Sequence, residues 1–237
     1  MAKLSTIIKA KAQLKAVQAL TYILPVSHPL VFAGPNSALN LCDNIQQLGM
    51  KKVLIVTDEV LLKLGVIQPL QSKLEQANIQ VTIFSEVKPD PTFEVVEKAI
   101  QLFTSSQSDS VLAVGGGSTI DTSKVLALAA ANNKSPKQLI GILKARKPSF
   151  PLFVIPTTAG TGSEVTVAAV LSDNETHVKS LVIDHKVVPL ATALDPVIMQ
   201  GMPPTITADT GIDALTHALE SWVSEFANQE TDFYSRA

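Results

Sequence analysis

VLAVGGGSTIDTSK, residues 111–124, is the stretch whose reading decides the fold. Its first four residues form a short apolar run of strand character. They lead straight into Gly115, Gly116, Gly117 and Ser118, and a helical pattern rich in Ala and Leu follows over residues 120–131. A strand that turns through glycine into a helix leaves backbone N–H groups pointing out of the turn, at the positive end of the helix dipole. That is an anion site, and in an α/β protein the usual anion is a nucleotide phosphate. Three glycines put no Cβ between the main chain and a pyrophosphate, and the Ser118 hydroxyl can add a hydrogen bond or cap the helix. A ligand-free tight turn has the same local sequence, so the flanking motifs have to decide.

Upstream, Val53-Leu54-Ile55-Val56 is an apolar, β-branched strand ending at Thr57-Asp58. Ligands of nucleotide-binding sheets lie at the carboxyl ends of strands, where a carboxylate can accept from both hydroxyls of an adenosine ribose. Asp58 therefore favours NAD, because it would repel the 2′-phosphate of NADP. Its other reading is the N-cap of a helix starting at Glu59. A short strand is expected at residues 30–33, a helix at 38–48, and a Leu-rich helical segment broken around Gly65 and Pro69. A strand at residues 79–84 and a helix capped by Thr92 complete this half. The βαβαβα order predicts a doubly wound parallel sheet.

Downstream, residues 132–149 are polar and basic and read as a solvated loop. They lack the interleaved aromatics of a nucleic-acid surface. A strand at 151–155 delivers Pro156-Thr157-Thr158-Ala159-Gly160-Thr161-Gly162-Ser163-Glu164, a loop crowded with hydroxyl donors and acceptors. Residues 165–172 and 178–183, joined by Asp173-Asn174-Glu175-Thr176, read as a hairpin. His177 and His185 flank its second strand and are read as exposed, as is His28. A last strand is expected at 190–194. Gly201-Met202-Pro203-Pro204 then marks a domain boundary before a helix from Thr205 to about Glu225. On that helix Asp213 and His217 are four apart and share a face, a spacing that suits either a charge pair or two ligands of one divalent ion.

Composition narrows the class. With 46% hydrophobic and only 17% charged residues, the chain suits strands buried on both faces. The 19 basic and 21 acidic side chains leave a formal charge of -2, so no global field attracts nucleic acid or an acidic membrane. Cys42 is the only cysteine, which excludes an intrachain disulfide and agrees with a reducing, cytoplasmic setting. It reads as a half-buried structural thiol. No apolar run approaches the ~20 residues of a membrane span. Lys3, Lys9, Lys11 and Lys15 lie in an acid-free N-terminal stretch, read as a surface-packed extra helix rather than a targeting peptide.

Taken together, the blocks resemble the iron-containing (group III) alcohol dehydrogenase family. The matching residues are Asp58, Gly115-Gly116-Gly117-Ser118 with Asp121 and Lys124, Pro156-Thr157-Thr158-Ala159-Gly160-Thr161-Gly162-Ser163-Glu164-Val165-Thr166, and Gly201-Met202-Pro203-Pro204 followed by Gly211-Ile212-Asp213-Ala214-Leu215-Thr216-His217-Ala218. The resemblance, which covers the chain from about Leu30 onward, implies an α/β dinucleotide-binding domain, placed over residues 1–203 with residues 1–28 read from their composition as a helical extension. Residues 204–237 would be the first helix of an all-α metal and substrate domain. It implies NAD held by Asp58, the glycine turn, Ser118, Asp121, Thr157, Thr158, Thr166 and Lys179. It also implies Fe²⁺ or Zn²⁺ on Asp213 and His217, with two further histidine ligands from later helices that do not occur before Ala237. The chain thus reads as the N-terminal part of an enzyme, with weak metal binding at best as given. The implied reaction is oxidation of a small alcohol to an aldehyde or ketone by a homo-oligomer, without nucleic-acid or membrane partners. A zinc-dependent polyol dehydrogenase, a dehydroquinate synthase-like enzyme and a catalytically silent NAD-binding module are the alternatives.

Overall fold

In three segments of the chain, residues 53–56, 111–114 and 152–155, every side chain is buried, and alternate residues enter different apolar clusters. Leu54, Val56, Val111, Ala113, Leu152 and Val154 join one cluster, while Val53, Ile55, Leu112, Val114, Phe153 and Ile155 join the other. A strand sends successive side chains to opposite faces, so a strand covered on both faces must be apolar throughout. That is why these runs show no polar alternation.

The computed structural model describes residues 28–176 and 178–236. The expected N-terminal helical extension and His177 lie outside them. The elements are β1 (Leu30–Ala33), α1 (Ser37–Gln47), β2 (Lys52–Val56), α2 (Glu59–Lys63), α3 (Ile67–Gln76), β3 (Gln80–Phe84), α4 (Phe93–Ser105), β4 (Ser110–Gly115) and α5 (Gly117–Asn132). They continue with β5 (Gly141–Ile142), β6 (Leu152–Pro156), β7 (Ala168–Ser172), β8 (Lys179–Ile183), β9 (Ala191–Leu194), α6 (Pro196–Met199), α7 (Pro204–Val223) and α8 (Gln229–Ser235). Six strands form a parallel sheet in the order β1-β9-β6-β4-β2-β3. Helices α4 and α5 pack on one face and α1 and α3 on the other. After β3 the chain returns to the far side of β2 to make β4, so the winding reverses between β2 and β4. In such sheets that crevice, at the carboxyl edge, is where ligands bind.

A second sheet, β5-β8-β7, combines the expected hairpin with a two-residue parallel strand. This corrects the reading of residues 132–149 as plain loop. Ser135 and Gln138 form a capping box, Asn132 Oδ1 accepts from the Arg146 and Lys147 amides, and Gly141–Ile142 pairs with β8. A two-residue strand has no periodicity to detect. Other differences are local. The break between α2 and α3 is Gly65, at φ +75°, whereas Pro69 sits in the first turn of α3, where a missing N–H costs nothing. Thr92 occupies the N-cap of α4 but makes no side-chain cap bond; its backbone is engaged in a bridge with Ser172. Helix α5 starts at Gly117, three residues earlier than its apolar pattern suggests, and β7 starts at Ala168 because Ser163–Val165 is a short 3-10 turn. Cys42 is fully buried against α3, and burial pushes its thiol up to about 12, which makes it inert.

Asp195 knots the end of β9 to two helices. It is 3% exposed, its Oδ2 accepts from the Ala38 amide in the first turn of α1 at 3.2 Å, and its Oδ1 accepts from Val197 at the start of α6 at 3.0 Å. The residue at the N-cap of α1, Asn36, is left-handed and caps nothing with its own side chain, so a residue 157 positions away in sequence does the work. By contacts, the unit His28–Ala214 contains both sheets, and the described part of the second unit starts at Leu215. Within that second unit, Asn228 caps α8 through Glu230 and Thr231, and the Arg236 guanidinium lies over Trp222. Replacement of Asp195 by Ala (Asp195→Ala) is expected to lower stability by about 2 kcal/mol, since the buried Ala38 amide and the part-buried Val197 amide lose their acceptor. A urea midpoint that falls with unchanged slope confirms it, and an unmoved midpoint refutes it.

Candidate functional site

Adjacent strands deliver three of the sequence-selected motifs to one corner. Asp58 stands two residues past β2, Gly115 to Ser118 bridge β4 and α5, and Thr157 and Thr158 follow β6, all at the carboxyl edge of neighbouring strands. The Thr157 amide donates to the Gly115 carbonyl at 3.0 Å, continuing the β4–β6 ladder into the turn.

The glycines are needed for space and not for unusual dihedrals. None of the three has a positive φ, and Gly116, the N-cap of α5, is extended at φ -79°. A methyl group on Gly115 would collide with the Thr119 side chain. One on Gly116 would lie 3.3 Å from Thr158 Oγ1, and one on Gly117 would lie 3.1 Å from Thr161 Cγ2 and 3.4 Å from Ser163 Oγ. The hydroxyl loop therefore packs directly on the glycine turn. Sequence reasoning assigned the glycines to phosphate approach alone; loop packing is an equal demand on them. Thr161 and Ser163, absent from the expected site residues, are brought to Gly117 by this packing. Their signal was the crowding of small hydroxyl residues after a buried strand.

Among the described residues, the amides of Gly116, Gly117 and Ser118 donate to no acceptor; the first amides of the turn that do are those of Thr119 and Ile120, both to the Gly116 carbonyl. Ser118 does not cap the helix as the sequence allowed, because the cap position is Gly116, and its hydroxyl makes no hydrogen bond among the described residues. A set of unspent donors at a helix N-terminus, open because no Cβ stands there, suits a pyrophosphate. Asp58 does cap α2, accepting from Leu61 at 2.9 Å through Oδ1. Oδ2 has no partner among the described residues, so the cap and the ribose reading are compatible.

The remaining expected residues fall elsewhere. Asp121 and Thr166 lie inside the packing between α5 and β7. Asp121 accepts from the Val170 amide at 2.9 Å, and Thr166 Oγ1 is 2.7 Å from Lys124 Nζ. Burial pushes the Asp121 carboxyl up, opposed by the Val170 amide, Lys124 and the Ser163 hydroxyl. Lys179 is exposed at the start of β8, in register with Ser172, and no hydrogen bond ties it to the glycine turn among the described residues. Asp213 and His217 lie one turn apart in α7, Asp213 half-buried and His217 exposed. Among the described residues no group of three or more His, Cys, Asp or Glu side chains is placed to hold a metal ion. A carboxylate and an imidazole are suitable donors for a divalent ion, but two do not close a coordination shell.

Gly160, in the hydroxyl loop, touches the helix that carries Asp213. A methyl group there would run into the Thr210 carbonyl of α7, so glycine sets how closely loop and helix approach.

Fold and corner together define a doubly wound, Rossmann-like α/β protein with a hydroxyl-lined glycine turn at its switch point. Residues 29–196 match the family model described as iron-containing alcohol dehydrogenase. The chain belongs to the iron-containing alcohol dehydrogenase family. It is 40% identical over 188 residues to alcohol dehydrogenase 4 of Schizosaccharomyces pombe, covering 79% of this chain and 44% of that one. It is 36% identical over 207 residues to the NAD-dependent methanol dehydrogenase of Bacillus methanolicus, covering 87% and 54%. Among solved structures, a 1,3-propanediol oxidoreductase superposes with a TM-score of 0.84 at 37% identity, over 90% of this chain and 56% of that one. The sulfoacetaldehyde reductase of Bifidobacterium kashiwanohense in complex with NAD+ gives 0.82 at 28%, over 89% and 56%. The chain spans about half the length of the curated relatives it matches.

Gly160→Ala is expected to cost about 2 kcal/mol by overpacking against main chain, whereas Gly201→Ala, with open space around it, is expected to cost almost nothing. Equal denaturation midpoints for the two variants would refute the close approach.

Proposed function

We propose that this chain is the dinucleotide-binding part of an NAD-dependent, metal-assisted alcohol dehydrogenase. The observation that carries the reading is the set of unspent amides at Gly116, Gly117 and Ser118, opened toward the β2–β4 switch point. They would hold the pyrophosphate, with the Ser118 hydroxyl as a further donor. Thr157 and Thr158 line the same corner, with Asp121, Thr166 and Lys179 taken from the family resemblance as additional contacts. Asp58 Oδ2 would accept from the adenosine ribose, and its charge would disfavour a 2′-phosphate. The relatives support this choice, since one is named as NAD-dependent and one solved neighbour holds NAD+.

Residues 1–203 form the cofactor domain in this reading, and residues from 204 onward open a helical domain. Asp213 and His217 would contribute two donors to Fe²⁺ or Zn²⁺, with the remaining donors drawn from outside the described residues. A metal bound there would supply Lewis-acid polarisation of the alcohol oxygen, which makes its proton easier to lose near neutral pH. The chain's own part is to fix the ring and the alcohol at reacting distance and to keep charge off the nicotinamide side of the corner, where the hydroxyl loop offers neutral donors and acceptors. The substrates are small alcohols and aldehydes or ketones, as the names of the relatives support. A homo-oligomer in the cytoplasm, without nucleic-acid or membrane partners, belongs to the same proposal. No helix among the described residues is long and apolar enough to cross a membrane.

Titration with NADH, followed by its fluorescence, tests the reading: saturable enhancement supports it, and a flat signal overturns it. Asp58→Ser is expected to reduce the preference for NADH over NADPH about tenfold, chiefly by relieving repulsion of the 2′-phosphate. An unchanged ratio would remove Asp58 from the ribose site. In the enzyme expressed from its full reading frame, His217→Ala is expected to abolish stoichiometric metal by elemental analysis while NADH binding persists. Full metal content in that variant would remove His217 from the ligand set.

A further inference from the structure

Lys124 has no role in the chemistry above, yet it is 0% exposed in the middle of α5. Three acceptors surround its Nζ: the Thr166 carbonyl at 2.8 Å, Thr166 Oγ1 at 2.7 Å and the Ala168 carbonyl at 2.9 Å. An ammonium carries three N–H donors, so donors and acceptors match one for one. The contacts close a ring. Gly117 opens α5 and Lys124 lies two turns further along it; Thr166, held by Lys124, donates through its amide to the Ser163 carbonyl at 3.4 Å. Ser163 Oγ in turn abuts Gly117.

We propose that Lys124 is a positioning residue for the dinucleotide, its ammonium locking the hydroxyl loop against the glycine turn and so fixing the shape of the phosphate cradle. The proposal rests on the cofactor reading of that turn. The lock is tightest in the charged form: a neutral amine has two N–H groups for the two carbonyls and a lone pair, so the Thr166 hydroxyl must turn its proton to that lone pair and give up its contacts to the Ser163 and Ala168 carbonyls. Burial pulls the Lys124 ammonium down to about 8, while Asp121 one turn earlier and Glu164 in the 3-10 turn favour its charge. The other charged groups on elements packed against α5 are engaged elsewhere or exposed. Asp184 pairs with His185 and Lys186, Lys137 pairs with Asp173, and Lys98 pairs with Glu86. Glu94 and Glu97 are the acids of α4, and β7 carries none.

Lys124 gives stability and cofactor affinity opposite pH dependences. The unfolded chain keeps the lysine proton to about 10.5 and the folded chain only to about 8, so in that window the unfolded state binds more protons and stability rises with pH. Cofactor affinity falls across the same window as the lock loosens. A lysine that served stability alone would leave affinity flat across this window. The test is an NADH fluorescence titration from about pH 7 to about pH 9.5, alongside urea denaturation, on the unaltered chain and on Lys124→Met. The unaltered chain should lose about tenfold in affinity while its urea midpoint holds or rises, and Lys124→Met should bind about tenfold more weakly at the low end and show no slope. Affinity that is flat with pH in the unaltered chain, or that slopes equally in both, overturns the proposal but leaves the cofactor reading intact. Absence of NADH binding at every pH removes both. Should Lys124→Met fail to fold, the unaltered chain decides by whether its affinity falls with pH while its urea midpoint holds or rises.

Discussion

The structure depends on main chain approaching main chain where β4 turns into α5. Gly115, Gly116 and Gly117 have no positive φ, so the absence of side chains there serves proximity: the hydroxyl loop after β6 packs against Gly116 and Gly117, and the Thr119 side chain packs against Gly115. The Thr157 amide on the Gly115 carbonyl continues the β4–β6 ladder into the turn, whose amides at Gly116, Gly117 and Ser118 have no acceptor among the described residues. The same lack of Cβ that admits the loop on one side leaves the donors accessible, which is the requirement for an anion site.

Holding two loops this closely calls for an anchor, and the interior supplies one made of charge. Lys124 and Asp121 are both buried on α5 and both reach β7 or the segment just before it, one as donor to carbonyls and one as acceptor from an amide. Burying a charge is costly unless hydrogen bonds surround it, and a buried charge left without its partners typically costs about 3–5 kcal/mol. The result is an anchor with one geometry, since the three acceptors around Lys124 Nζ and the Val170 amide on Asp121 Oδ2 come together only in this register. An apolar contact would tolerate sliding. Asp195 plays the corresponding part on the opposite face, fixing α1 and α6 to the end of β9. Buried carboxylates thus set the position of helices that their apolar faces alone would leave free to shift.

The hydroxyl loop is also the link toward chemistry. Through Ser163 and Thr161 it touches the glycine turn, and through Gly160 it touches α7 one turn before Asp213. The glycine turn and α7 are therefore both packed against a single nine-residue element, which accounts for its density of small side chains: anything larger at Gly160 would push α7 away.

Residue pattern alone determined the central strands β2, β4 and β6, because fully buried strands must be apolar throughout, and it determined the glycine turn, because only glycine allows such an approach. It also marked Asp58, since a carboxylate just past a buried strand lies at the ligand edge of any parallel sheet. What required the tertiary structure is whatever joins residues distant in sequence. The pairing of Gly141–Ile142 with β8, the capping of α1 by Asp195 and the packing of Thr161 and Ser163 on Gly117 leave no local periodicity to read. Lys124 is the clearest instance. Sequence shows a lysine in an Ala- and Leu-rich helix, but a helical lysine is ordinarily a solvent-facing residue, and only the burial of α5 on every side reveals that its charge is held by carbonyls more than forty residues away. Hydrophobic pattern is local and so is legible in the chain, whereas the satisfaction of buried polar groups is settled by which distant backbone arrives beside them.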